Sequence, residues 1–220
     1  MLIPIRESEF NKLIPAVATG NQFTSALGNP RRILQRIMIS SIGGVITLLI
    51  SQNQVASQFY SLWLIIGVAF LLYILWGPIL EASRKNSNLR KFPFSALFTG
   101  QINNIQIKEK VTNRHEQANK KGELELVEDR RTWMILDLED EEGYLSNISF
   151  PMEKEHQSIR EGMNIRCLVM SNSNRFDLIT AISDAWIPSK RIWVGQYPYL
   201  LKPAFIELCQ LKLRSNSNYI

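Results

Sequence analysis

The chain has 220 residues, a formal net charge of +5 and 45% apolar residues. That length accommodates one domain or two small ones. No Asp, Glu, Lys or Arg occurs between Ile37 and Leu80, and the basic excess lies in residues 1–91, so neither a uniformly soluble protein nor a basic nucleic-acid-binding face fits the sequence.

Residues 1–30 form a segment ahead of the apolar block. Within it, SEFNKLIPAVATG predicts one short helix, limited in length by Pro15. We expect this helix to lie at a membrane interface with Phe10, Leu13 and Ile14 facing lipid.

Two apolar stretches follow, at residues 33–51 and 59–80. A helix of about 20 apolar residues crosses a bilayer. The second stretch is apolar on every face, and no other part of the chain is apolar enough to surround it, which favours lipid. The polar loop of residues 52–58 is too short to be a domain. Residues 31–91 are therefore predicted to form a hairpin of two transmembrane helices.

The sequence LWGPILEASRK, residues 75–85, is typical of a membrane exit. Trp76 is an interfacial anchor, Pro78 is expected to end the helix, and Arg84 and Lys85 are expected among the headgroups. At the start of the first span, Arg36 is expected to extend to the headgroups in the same way.

Basic residues flank both spans and are missing from the connecting loop. The positive-inside rule therefore places both termini on the cytoplasmic side, or the stromal side in a plastid. The seven membrane-flanking basic residues are Arg31, Arg32, Arg36, Arg84, Lys85, Arg90 and Lys91.

Small residues mark one face of the first span, in SSIGGVIT at residues 40–47, and Gly67 lies midway along the second. Small residues let helix backbones approach closely. Two interpretations remain open: the hairpin packs on itself, or this face docks against a partner membrane protein.

From residue 92 onward the apolar residues recur with period two. Six short strands separated by turns, among them NKKG at residues 119–122, predict a small antiparallel β-barrel or sandwich. The expected strands lie at residues 98–111, 123–128, 131–139, 144–150, 163–170 and 175–187. Residues 202–214 predict a short terminal helix. Residues 92–220 are thus expected to be a cytoplasmic or stromal β-rich domain.

No nucleophile-elbow, zinc-protease or phosphate-loop motif occurs. The acidic run of residues 137–142 lacks the calcium-loop spacing and is typical of a solvated hairpin tip. Cys167 and Cys209 have no metal or redox spacing, which leaves two reduced thiols or one disulfide. We therefore expect no enzyme activity, no metal, no cofactor and no small-molecule substrate.

The aromatic segment, IWVGQYPYLLKP at residues 192–203, is the most suggestive surface. Its Trp193, Tyr197 and Tyr199 combine apolar rings with polar tips, as at protein interfaces. Either they dock a partner, or the segment covers the open end of the barrel.

Four phrases, LIPAVATGNQF, LWGPILEASRKN, GELELVEDR and WVGQYPYL, together resemble an integral membrane family of cyanobacteria and plant plastids with two spans. Some members are labelled phosphate transporter permease, although an importer permease has more spans than two. The layout is also similar in outline to a photosystem I assembly factor. The resemblance implies a thylakoid, plasma or plastid membrane protein that assists a photosynthetic complex; the alternative is an accessory subunit of a transporter.

Overall fold

The computed structural model describes residues 1–53, 59–118, 124–143 and 145–217. Most of the expected loop at residues 52–58, and the expected turn at residues 119–122, lie outside the described residues. The chain divides into two compact units. The sheet unit comprises Met1–Leu13 and Phe92–Ile220, and the helical unit comprises Ile14–Lys91.

The sheet unit contains one antiparallel sheet of seven strands: β1 Leu2–Pro4, β2 Phe94–Ala118, β3 Leu124–Glu139, β4 Leu145–Pro151, β5 Asn164–Ser171, β6 Ala181–Ile187 and β7 Ile192–Val194. The order is β4-β3-β2-β5-β6-β7, and β1 pairs with β2. The predicted antiparallel β structure is confirmed. The predicted barrel is wrong, because the sheet is not closed and β4 and β7 remain as edges.

Strand boundaries differ from the sequence prediction in two ways. The two strands expected at residues 123–128 and 131–139 are one long strand, β3. Its charged middle stays paired with β2 across a register shift between Val111 and Asn113, and Asp129, Arg130 and Arg131 are exposed. The strands β1 and β7 were not predicted, because three residues are too few to show a period of two.

Among its described residues, the sheet unit also contains two helices and a 3₁₀ turn at Lys154–Ser158. The predicted terminal helix is present as α6, Lys202–Ser217, and buries Phe205 and Cys209. Helix α1, Glu7–Leu13, packs against α6, and Lys212 Nζ lies 3.1 Å from a Glu9 carboxylate oxygen. Cys167 and Cys209 are both buried, free thiols.

The expected lipid-facing side of the N-terminal segment is wrong. Phe10, Leu13 and Ile14 are exposed by only 4%, 2% and 0%. The apolar residues of this segment are therefore part of the protein interior, which the sequence pattern alone does not distinguish from a lipid-facing stripe.

The helical unit contains α2 Gly20–Leu27, α3 Pro30–Asn53, α4 Tyr60–Leu71 and α5 Tyr73–Leu89. Among the described residues, α3 alone is long and apolar enough to cross a membrane. Helices α4 and α5 reach that length only as a pair, which bends by 72° between them. The prediction that Pro78 ends the helix is wrong: Pro78 lies inside α5, and the helix break is at Leu72.

The bend leaves backbone carbonyls that would be bonded in a continuous helix, and side chains satisfy two of them. Trp76 Nε1 donates to the Ala69 carbonyl at 2.7 Å. Ser40 Oγ of α3 donates to the Leu71 carbonyl at 2.6 Å. An unsatisfied carbonyl in an apolar medium is costly, so these two donors stabilise the break.

The small residues of the hairpin pack within the helical unit. A Cβ atom on Gly43 would lie 2.5 Å from the ring of Phe70, and one on Gly44 would lie 2.5 Å from Leu71 Cδ2. Gly67 is similarly close to Thr47 Oγ1, at 2.9 Å. These contacts correspond to the first interpretation of the small-residue face, in which the hairpin packs on itself.

Candidate functional site

The first candidate site is the aromatic segment of the sheet unit. Trp193 lies on β7, and its register partner on β6 is Trp186. The two rings stack with their centroids 6.2 Å apart, and Phe205 of α6 meets Trp193 edge-on at 5.6 Å. Cross-strand pairing thus places both tryptophans on one face of the sheet.

Cations lie over both tryptophan rings. The guanidinium of Arg166 is 5.7 Å from the centroid of the Trp186 ring, and Lys202 Nζ is 5.4 Å from that of Trp193. Both tryptophans are half-buried. We call the group formed by Trp186, Trp193, Arg166 and Lys202 the tryptophan ladder. Half-buried tryptophan with arginine is the composition that protein interfaces favour.

Tyr197 and Tyr199 lie beyond β7 and contact each other edge-on, with ring centroids 4.7 Å apart. Tyr197 is buried at 6% exposure, and Tyr199 is half-buried. Both line a cleft of about 570 Å³ together with β4 residues and Asp184 of β6. Gln196, from the same segment, donates to the Ser149 carbonyl of β4 at 3.0 Å. The segment therefore spans part of the gap between the two open edges of the sheet.

Asp184 is the buried carboxylate at the centre of this group. The Leu200 N–H donates to Asp184 Oδ1 at 2.9 Å, and within the described residues Oδ2 has no hydrogen-bond partner. Burial raises the pKa of Asp184 to about 7, an effect that backbone hydrogen bonds and the charge of Lys202 partly offset. Burial, and secondarily the charge of Asp184, also raises the pKa of Tyr199.

The structure thus groups the three predicted docking residues around Asp184. Trp193 and Tyr197 also line a smaller cavity of about 140 Å³ with Asp184 and Lys202. Burial of Tyr197 favours the covering interpretation for that side chain, while half-buried Trp193 and Tyr199 remain accessible. Docking by these residues stays a prediction.

The second candidate site is in the helical unit, where three of the seven flanking cations meet a single carboxylate. Arg36 Nη2 lies 2.6 Å from Glu81 Oε2, and it also donates to the Ala26 carbonyl at 3.0 Å. Lys85 Nζ and Arg32 Nη1 lie 3.2 and 3.8 Å from Glu81 Oε1. Arg36 was expected to extend to the headgroups, but its side chain is buried.

A cavity of about 390 Å³ opens beside this cluster. We call it the basic cavity. Its lining residues are Arg36, Tyr73, Trp76, Gly77, Leu80, Glu81, Arg84, Lys85 and Asn88. It combines cationic groups at one end with aromatic and apolar side chains at the other.

The remaining flanking basic residues lie outside the cavity. Arg90 Nη1 donates to the Ile14 carbonyl at 3.1 Å, which ties the N-terminal segment of the helical unit to the end of α5. Asn86 Nδ2 likewise donates a hydrogen bond to the Pro15 carbonyl, at 2.9 Å. Arg31 and Lys91 are exposed.

A family model matches residues 3–214 of the chain. The chain belongs to DUF8619, a family of unknown function. No curated protein and no solved structure shows a significant match to it. Membership of DUF8619 therefore assigns neither an activity nor a partner.

Sequence reasoning about this DUF8619 member missed Glu81 and Asp184. Glu81 lies in the segment that predicts a membrane exit, and its spacing of four from Lys85 is a signal for a helical ion pair. Asp184 gives no such signal, because only the folding of the aromatic segment over β6 buries it.

Proposed function

We propose that this chain is a non-enzymatic integral membrane protein that docks onto a larger complex in the same membrane and assists its assembly or stability. The observation that carries the membrane part is the reversed burial of α3. Its buried residues are polar or small, and they recur three or four residues apart: Arg36, Ser40, Gly44, Thr47 and Ser51.

The exposed side of α3 is, in contrast, strongly apolar. Its exposed large hydrophobic residues are Leu34, Ile37, Met38, Ile39, Ile42, Val45, Ile46, Leu48 and Leu49. A surface helix of a soluble protein turns its apolar stripe inward and its polar face to water. The opposite arrangement suits a helix surrounded by lipid, whose polar groups must find partners inside the bundle.

Strand pairing supports two crossings rather than one. Strand β1 precedes the hairpin in sequence, β2 follows it, and the two strands pair in one sheet. Both ends of the hairpin must then lie on the same side of the membrane. If α3 crosses the bilayer, the bent pair α4 and α5 would have to cross back, and this even number of crossings supports a two-span hairpin.

Orientation rests on the flanking basic residues, which all lie at the end of the hairpin that joins the sheet unit in sequence. The positive-inside rule puts that end, and with it the sheet unit, on the cytoplasmic or stromal side. The resemblance to proteins of cyanobacteria and plastids supports a thylakoid, plasma or plastid membrane and a photosynthetic complex as the partner.

The docking part is supported by the tryptophan ladder and by Tyr199. Purification of the full chain in mild detergent tests it, with photosystem subunits expected as co-purifying proteins. We expect Trp193→Ala combined with Tyr199→Ala to lower the co-purified amount at least several-fold, because half-buried aromatics are frequent hot spots.

Trp133→Ala is the matched control. Trp133 is also half-buried on the sheet and has a cation over its ring, Lys110 Nζ at 4.4 Å, but it lies on β3 outside the aromatic segment. Near-ultraviolet circular dichroism verifies that each variant stays folded. Unchanged co-purification by a folded double variant would contradict docking through this surface.

A second function is favoured by the bent pair α4 and α5. Broken helices whose freed carbonyls find new partners are typical of transporters. The chain would then be an accessory subunit of a transporter. Recovery of an ATP-binding subunit instead of photosystem subunits in the same purification would support this alternative.

A further inference from the structure

The basic cavity holds more positive charge than its carboxylate neutralises. Arg36, Arg84 and Lys85 line it, and Glu81 is the one acidic residue among its lining residues. Arg32, outside the lining, also pairs with Glu81, with its Nη1 3.8 Å from Glu81 Oε1. A single carboxylate balances one of these four cations, which leaves a net positive site beside an open cavity.

One of the cations is buried with an unused donor. Arg36 is 6% exposed, and two of its contacts, to Glu81 and to the Ala26 carbonyl, are made by Nη2. Nη1 is buried, and within the described residues it has no hydrogen-bond partner. A buried guanidinium nitrogen without an acceptor is costly, so an anion in the cavity would stabilise it.

The position of the cations on α3 also favours the binding of an anion. Arg32 and Arg36 lie in the first two turns of α3, near its positive dipole end. Cations there are unfavourable, whereas anions are favourable. Glu81 supplies part of the compensation from α5.

The other wall of the cavity indicates what carries the anionic group. Trp76 and Leu80 line it and are also exposed on the apolar surface of α5. Tyr73 contacts the Trp76 ring edge-on at 5.0 Å and completes an aromatic wall. A free anion gains nothing from this wall, but the glycerol and first methylene groups of a lipid would pack on it.

We propose that the basic cavity binds the phosphate of an anionic phospholipid, with Arg36, Arg84 and Lys85 on the phosphate and Trp76 against the lipid chain. Basic pockets between membrane helices bind such headgroups in general. The inference rests on the membrane insertion in the proposed function, but not on the docking partner. The lipid would hold the ends of α3 and α5 together.

The test uses the purified full chain in mild detergent and native mass spectrometry during titration with phosphatidylglycerol or phosphatidylcholine. We expect the wild type to bind phosphatidylglycerol more tightly. Arg84→Gln combined with Lys85→Gln should weaken that binding about tenfold more than the control pair does, since each interfacial cation contributes on the order of 1 kcal/mol. The control pair, Lys12→Gln with Arg31→Gln, removes the same charge from exposed positions that do not line the cavity.

Three results would overturn the proposal. Equal weakening by both pairs would mean general attraction without a site. Equal binding of both lipids by the wild type would remove the need for a net anionic headgroup. Displacement of the lipid by millimolar inorganic phosphate would identify the ligand as free phosphate.

Alkaline carbonate extraction of membranes separates failure of this inference from failure of the proposed function. A chain that resists extraction but shows no lipid preference contradicts the cavity assignment alone. A chain that is released contradicts membrane insertion itself.

Discussion

Asp184 shows how one residue couples the aromatic segment to pH. Its carboxyl group is buried beside Tyr197 and Tyr199, and its pKa is raised from 3.8 to about 7. A folded-state pKa above the unfolded value means that the folded state binds more protons between these two values. The stability contribution is therefore fully present below about pH 4 and is lost as the pH rises through 7.

We predict that Asp184→Asn makes the protein more stable than the wild type at pH 8, by about 2–4 kcal/mol, since each pKa unit corresponds to about 1.4 kcal/mol. The amide oxygen can still accept the hydrogen bond from Leu200. Thermal unfolding between pH 5 and 8, followed by tryptophan fluorescence, measures the effect. Asp177→Asn is the control, because Asp177 lines the same cleft but is exposed.

The same titration distinguishes the two possible outcomes. The wild type should lose stability from pH 5 to pH 8 relative to the asparagine variant, and Asp177→Asn should follow the wild type. If the wild type and Asp184→Asn have parallel pH profiles, Asp184 does not titrate in this range and is not the buried group that the structure indicates.

The bend between α4 and α5 is a property of elements rather than of a single residue. Leu72, at the break, has φ −85° and ψ 4°, which any residue adopts, and neither a glycine nor a proline occupies it. Proline is the usual cause of a kink, but Pro78 lies well inside α5. At this bend the side chains of Trp76 and Ser40 donate hydrogen bonds to the carbonyls of Ala69 and Leu71.

We predict that Trp76→Phe destabilises the helical unit by about 1–2 kcal/mol, because the phenyl ring cannot donate and the Ala69 carbonyl is left unsatisfied. Adding Ser40→Ala should lower stability further. Thermal unfolding in detergent, followed by loss of helical circular dichroism, reports the change. Trp63→Phe on α4 is the control, since no hydrogen bond of its indole occurs in the described structure; equal effects of both variants would mean that ring volume matters and the hydrogen bond does not.

These elements also show what a sequence can and cannot predict. The uncharged run from Ile37 to Leu80 predicts apolar helices, because a long apolar stretch is visible in the composition alone and needs no knowledge of tertiary contacts. Period-two alternation likewise predicts the antiparallel strands, and the terminal helix is confirmed. The bend was not predictable, because one of its two donors, Ser40, comes from another helix.

In the candidate sites, too, the residue types are visible in the sequence, but the contacts between distant segments are not. Composition singled out Trp193, Tyr197 and Tyr199, but their grouping around Asp184 depends on β6 and β7 pairing and on the turn that follows. The flanking basic residues were visible in the sequence, whereas the convergence of Arg36 and Lys85 on Glu81 requires α3 and α5 to come together. Packing determines which distant segments contact each other, and the local pattern of residues in each segment does not show this.

At the scale of the whole molecule, the pairing of β1 with β2 constrains the topology. The two strands flank the entire hairpin in sequence, and their register joins Leu2 with Phe98 and Pro4 with Ala96. A bilayer cannot separate strands that share backbone hydrogen bonds. The helices between them therefore cross the membrane twice or not at all, whatever the bend between α4 and α5.

The last prediction tests this parity with single cysteines. Asn53, at the end of α3, and Ser189, after β6, are both exposed, whereas the native Cys167 and Cys209 are buried. In sealed vesicles of known sidedness, a membrane-impermeant maleimide should label Asn53→Cys and Ser189→Cys from opposite sides. Ser189→Cys should react from the cytoplasmic or stromal side, because the basic residues flank the hairpin at that end. Labelling of both cysteines from the same side would mean that α3 does not cross the membrane, and Ser189→Cys reacting only from the other side would reverse the orientation while leaving two crossings intact.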